Sequence, residues 1–99
     1  MKKYRYMIVS LIDEIDENVF NSQIKQIEGF KYAVWQVEQS SLFKHIQLYI
    51  EFDSKNGIEK LKQLLQKCHV EIATGTREQC IYYCSKDYRR FKGPYELVK

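Results

Sequence analysis

The sequence has little of what breaks or cross-links a chain. Its 99 residues include one proline, four glycines and three cysteines. So few breakers argue against disorder, a collagen-like repeat or a Pro-rich linker, and no internal repeat or low-complexity tract is evident. Cys68, Cys80 and Cys84 are an odd number in no disulfide pattern, which fits a reducing compartment. Long hydrophobic runs are missing as well. Stretches such as Met7-Ile8-Val9 fall far below the roughly 18 residues of a membrane span. The start Met-Lys-Lys-Tyr-Arg-Tyr leads into only two or three apolar residues before Ser10, so no signal-peptide core is present. These absences predict one globular domain over residues 1–99, soluble and not secreted, with no membrane partner.

What is present is unevenly placed. The net charge is +3, from 16 basic and 13 acidic residues. Residues 1–76 carry ten of each sign and cancel. The excess lies in residues 77–99, where Arg77, Lys86, Arg89, Arg90, Lys92 and Lys99 outnumber Glu78, Asp87 and Glu96. Tyr82, Tyr83, Tyr88, Phe91 and Tyr95 are interleaved with them. Basic groups attract phosphates and aromatic faces stack on bases, so this mixture points to nucleic acid. A solvated basic tail is the plainer alternative.

Tyr4 to Ile12 reads as a strand, with Met7, Val9 and Leu11 on one face and Tyr6, Ile8 and Ser10 on the other. Asp16 is placed to cap a helix whose apolar positions Phe20, Ile24 and Ile27 precede a stop at Gly29. Lys31 to Gln39 and His45 to Phe52 both alternate, as the strands of a hairpin would. After Asn56-Gly57, Ile58, Leu61, Leu64 and Leu65 form the stripe of a second helix, and His69 to Ala73 is a short strand. Thr76-Arg77-Glu78-Gln79 has the form of a capping box opening a third helix, with Ile81, Cys84 and Tyr88 on its buried side. Tyr95 to Val98 adds an edge strand after Gly93-Pro94. The expected fold is α+β, of ferredoxin or RRM-like order β-α-β-β-α-β-α-(β): an antiparallel sheet of about five strands, helices packed on one face and the other open for a ligand.

Alternation sets Glu38, His45 and Gln47 on that open face, with Glu38 close to opposite His45. Carboxylate, imidazole and amide oxygen together suit Mg²⁺ or Mn²⁺. Tyr83 and Lys86 lie three residues apart on the third helix and are neighbours there. A tyrosine beside a cation and a metal is equipped to attack a phosphodiester. Spacing alone also permits Tyr82 to meet Lys86, so it does not choose between the two tyrosines. The open face is expected to offer Tyr6, Ser10 and Tyr49 to a nucleic-acid strand, which would continue to the phosphate-binding side chains Arg77, Arg89, Arg90 or Lys92.

In their order these pieces resemble the HUH-type endonuclease (nicking) domain of replication initiator (Rep) proteins of circular single-stranded DNA viruses and related plasmids. The resemblance spans nearly all of residues 4–97. The family's first motif, a hydrophobic residue and Thr-Leu-Asn-Asn, corresponds to Val9-Ser10-Leu11-Ile12-Asp13, where Ile12 and Asp13 replace both asparagines. The second, His-Leu-Gln-Gly-Phe, corresponds to His45-Ile46-Gln47-Leu48-Tyr49, with the further metal-binding glutamate upstream at Glu38. The third, Tyr-x-x-Lys, is Tyr83-Cys84-Ser85-Lys86, preceded by Gly75-Thr76. The resemblance implies a metal-dependent, sequence-specific endonuclease and strand transferase. Tyr83 would attack single-stranded origin DNA, keep the 5′ phosphate, free a 3′ hydroxyl for rolling-circle replication and later rejoin the strand. It implies a helicase domain or other Rep copies as partners, although the chain has no Gly-x-x-x-x-Gly-Lys-Ser/Thr phosphate loop. The location implied is the host nucleus for a eukaryotic virus and the cytoplasm otherwise.

Two alternatives compete. One is a non-catalytic RRM-like domain binding single-stranded RNA or DNA, since Tyr49-Ile50-Glu51-Phe52 fits half of an RNP1 signature, but glycine and aromatic positions before it are filled by Ile46, Gln47 and Leu48. The other is a zinc site from Cys68, His69, Cys80 and Cys84, which lacks paired Cys-x-x-Cys loops.

Overall fold

The computed structural model describes residues 4–12, 14–65 and 67–99; Asp13 of the first motif lies outside them. The chain runs β1 (Tyr4–Ile12), α1 (Glu17–Lys25), β2 (Phe30–Ser40), β3 (Phe43–Phe52), α2 (Gly57–Leu64), β4 (Cys68–Ile72), α3 (Arg77–Tyr83) and β5 (Arg90–Val98). The strands form one antiparallel sheet in the order β4-β1-β3-β2-β5. This is the α+β architecture that the alternation predicts.

Local chemistry sets the boundaries. The Asp16 carboxylate accepts from the backbone of Asn18 and Val19, covering two donors that the first turn of α1 leaves free. Gly29 has φ +86°, the left-handed conformation that turns the chain into β2. Gly57 opens α2 against the Phe52 ring, where an added Cβ would stand 2.4 Å from Cδ1. Thr76 and Gln79 close the expected capping box on α3.

The sheet is packed on both faces, unequally. α1 and α2 lay Phe20, Ile24, Ile58 and Leu61 over Ile8, Trp35, Ile46, Leu48, Ile50 and Phe52, the main core. Each buried side chain of this size is worth about 1.5–3 kcal/mol by removal from water, so this layer holds the fold. α3 lies on the opposite face, where Cys80 and Cys84 meet Tyr32, Val34 and Tyr49 in a second, smaller cluster. The face free of α1 and α2 is therefore open only in part.

Three local expectations are corrected. β1 places Tyr6 and Ser10 under the helices, not on the open face: Ser10 pairs with Ile46 and Tyr6 with Ile50, and directly paired residues share a face. The Tyr6 ring packs at 6.4 Å from that of Phe52, and the buried Ser10 hydroxyl donates to the Lys67 carbonyl. α3 ends at Tyr83, short of Lys86 and Tyr88, because Ser85 turns its hydroxyl and backbone N–H onto the carbonyls of Ile81 and Tyr82. β5 begins at Arg90 and runs through Gly93-Pro94, which an edge strand tolerates where the pairing with β2 shifts register.

Candidate active site

The hairpin of β2 and β3 sets Glu38 opposite His45 and Gln36 opposite Gln47, four polar side chains on the α3 side of the two central strands. Glu38 divides its two oxygens. Oε1 stands 3.5 Å from His45 Nε2. Oε2 accepts from Gln36 Nε2 at 2.8 Å and from Lys86 Nζ at 2.9 Å. Burial raises the Glu38 carboxyl, yet the hydrogen bonds from Gln36 and Lys86, with the charges of Lys86 and His45, outweigh it and hold the group below its ordinary value. An ionised carboxylate therefore sits among donors at neutral pH.

Two groups 3.5 Å apart, one carboxylate and one imidazole, are spaced as ligands that can close on a common divalent ion. Among the described residues no cluster of three or more His, Cys, Asp or Glu side chains occurs, so a third protein donor would be the Gln47 amide. Gln47 is buried on the same face and touches the Cys84 thiol. Burial pushes that thiol up to about 12, so it stays protonated and unreactive.

Tyr83 closes α3, and Lys86 reaches back over it. The Lys86 ammonium lies 4.0 Å from the Tyr83 ring centroid and donates to the Tyr83 carbonyl at 2.9 Å while holding Glu38. One lysine thus touches both the carboxylate and a tyrosine, and that tyrosine is Tyr83. Tyr83 is 49% exposed, open to solvent. Glu38, His45, Gln47, Tyr83 and Lys86 are brought to one side of the sheet. Glu38, His45 and Gln47 were legible from alternation alone.

The residues expected to carry DNA are more scattered. Tyr49 is fully buried beneath α3 and its hydroxyl donates to Glu51, so it has no face for a base, which also removes the stacking aromatic of an RRM-like surface. Arg77 is committed to the buried Glu51 carboxylate at 2.7 Å and stacks over Tyr32. Arg90 pairs with Glu38 in register and braces the turn after α3 through Asp87 and the Ser85 carbonyl. Arg89 extends over Tyr88, both exposed. Lys92 lies on the other side, 4.0 Å from Glu17, in a groove of about 830 Å³ lined by Ile12, Lys44 and Phe91. The cysteines do not converge: Cys68 packs on the main core, Cys80 and Cys84 on the α3 cluster.

Two features were missed. Val9 and Leu11 are exposed on the face bearing His45 and Gln47, as their pairing opposite Gln47 and His45 requires. Gln36 bonds both Glu38 and the Lys86 carbonyl, and the only signal for it was its place two residues before Glu38.

Comparison with known proteins identifies the family of the chain. A family model described as "Putative viral replication protein" matches residues 13–87, a span that contains Glu38, His45, Gln47, Tyr83 and Lys86. The chain is similar to Para-Rep C1 of Milk vetch dwarf C1 alphasatellite, 36% identical over 75 residues, which are 73% of this chain and 26% of the relative. It is 31% identical over 71 residues to the Master replication protein of Banana bunchy top virus, covering 71% of this chain and 25% of that protein. With Para-Rep C10 of Milk vetch dwarf C10 alphasatellite the identity is 33% over 80 residues, 78% of this chain and 28% of the relative. The chain thus spans about a quarter of the length of these curated relatives. With most of its length inside the family match, the chain belongs to the viral replication (Rep) protein family.

Proposed function

We propose that the chain is the nicking module of a replication initiator, acting on single-stranded origin DNA. The observation that carries this reading is Lys86, whose ammonium joins the Glu38 carboxylate to Tyr83. In the proposed step the Tyr83 phenolic oxygen bonds to the scissile phosphorus and the P–O3′ bond breaks. The phenolic proton is given up, the leaving 3′ oxygen is protonated, and the 5′ phosphate remains on the tyrosine. Attack by a 3′ hydroxyl on that linkage reverses the step and rejoins the strand.

Lys86 offsets the charge that develops on the phosphoryl oxygens. Glu38 and His45, with Gln47 beside them, would hold Mg²⁺ or Mn²⁺; a bound ion of this kind polarises the phosphoryl group. Exposed Tyr82, Tyr88, Val9 and Leu11 offer apolar surface to unpaired bases around the site. A helicase domain or further Rep copies would be partners in the longer protein that the relatives' length suggests.

Incubation with a panel of single-stranded origin oligonucleotides, read on a denaturing gel, tests the reading. A covalent adduct should form, stop with EDTA and return with Mn²⁺ or Mg²⁺. Tyr83→Phe should abolish the adduct and keep DNA binding, since the ring and the basic surface remain. An adduct mapped to Tyr82, or undiminished activity in EDTA, would overturn the assignment of nucleophile or of metal respectively.

A further inference from the structure

We infer that Gln36 is a positioning residue of this site, its amide clamping the segment after α3 to β2 and so fixing Lys86 and Tyr83 relative to Glu38. The inference rests on the nicking reading for its catalytic meaning, though the clamp itself is a property of the fold. Gln36 is 0% exposed and lies on β2 between Val34 and Glu38 on the site face. Its single nitrogen donates twice, to Glu38 Oε2 at 2.8 Å and to the Lys86 carbonyl at 2.9 Å. The reverse amide orientation would set an oxygen against two acceptors, so the chemistry fixes which end is nitrogen.

Lys86 is consequently held at both ends, its ammonium on Glu38 and its carbonyl on Gln36. That matters because residue 86 lies beyond the last turn of α3, where no helix holds the backbone. β5 passes close beside the clamp: a Cβ at Gly93 would come within 3.1 Å of Gln36 Cβ, so glycine is what lets the two backbones approach there. Gln36 Oε1 is buried with no donor among the described residues. An apolar side chain of the same length would avoid that cost, so the two N–H bonds are what the amide contributes.

Gln36→Met tests the clamp, because methionine keeps length and burial and removes both donors. Three readouts apply: free Mn²⁺ by electron paramagnetic resonance, backbone hydrogen exchange by mass spectrometry, and adduct rate at saturating oligonucleotide. Faster exchange confined to residues 84–88 is expected, with Mn²⁺ affinity or adduct rate lowered about 10- to 100-fold, as for other groups that orient a metal ligand. Unchanged exchange at 84–88 overturns the clamp, and so does faster exchange spread evenly over the sheet, which would mark a merely structural residue. Should Gln36→Met fail to fold, Gln36→Asn keeps an amide one methylene too short to reach both partners, and the same exchange criterion decides. If the unaltered protein forms no adduct, the nicking reading fails, while the exchange result still settles the clamp.

Discussion

At Lys86 one ammonium serves three partners, Glu38, the Tyr83 carbonyl and the Tyr83 ring. Replacing it by methionine should lower the adduct rate about 10²- to 10³-fold, the usual loss on removing one group that stabilises transition-state charge. Single-turnover kinetics at saturating DNA would measure this. Tyr32 supports a separate residue-scale prediction. Burial raises its phenol above the ordinary value of 10.0, and its hydrogen bond to Glu96 acts in the same direction. A folded value raised above the unfolded one stabilises the fold in full below pH 10, and that contribution is lost as pH rises toward the folded value. Tyr32→Phe should therefore flatten the alkaline loss of stability above pH 10, by up to about 1.4 kcal/mol per pH unit in urea titrations. Equal slopes in the two proteins would show that other groups govern the alkaline limb.

Among the elements, β2 and β3 were the most legible. Their strict alternation places Glu38, His45 and Gln47 on one face in the sequence and in the structure alike. β1 was harder because both its faces are apolar: nothing in Met7, Val9 and Leu11 against Tyr6, Ile8 and Ser10 says which side the helices cover. The burial of Tyr49 was hidden for another reason. Period-two patterning assigns it a polar face, and only the docking of α3 encloses it. The length of α3 was misjudged since the apolar spacing continues past the point where Ser85 captures the last carbonyls. α3 is held at its start by Arg77 on Glu51, a half-exposed cation on a buried carboxylate. Arg77→Met should cost about 1–3 kcal/mol, discounted for the exposed partner, and Arg77→Met with Glu51→Leu should recover part of it. Additive losses in that double-mutant cycle would deny the pair any coupling.

For the whole molecule, a net charge of +3 and the engagement of Arg77 and Arg90 with acidic partners limit how many phosphates the surface can neutralise. Each single-strand phosphate neutralised contributes a slope of about 0.7 in log K against log salt. Arg89→Ala should remove about one such increment, whereas Arg77→Ala should leave the slope nearly unchanged because that guanidinium already belongs to Glu51. Fluorescence anisotropy on a labelled oligonucleotide across a salt series gives both values; the opposite ranking would place the DNA along α3's first turn. The two unequal cores carry a consequence of their own. Main-core side chains under α1 and α2 secure the sheet, while Tyr83 rides on a seven-residue helix whose Cys80, with Cys84 at its C-cap, is seated on three buried sheet residues, Tyr32, Val34 and Tyr49. The proposed nucleophile is thereby mounted on the less robust layer, and heat should disengage it while the sheet remains intact. Strand-joining activity would fade several degrees before the protein melts, and small changes at Cys80 or Val34 would retune catalysis without endangering the fold.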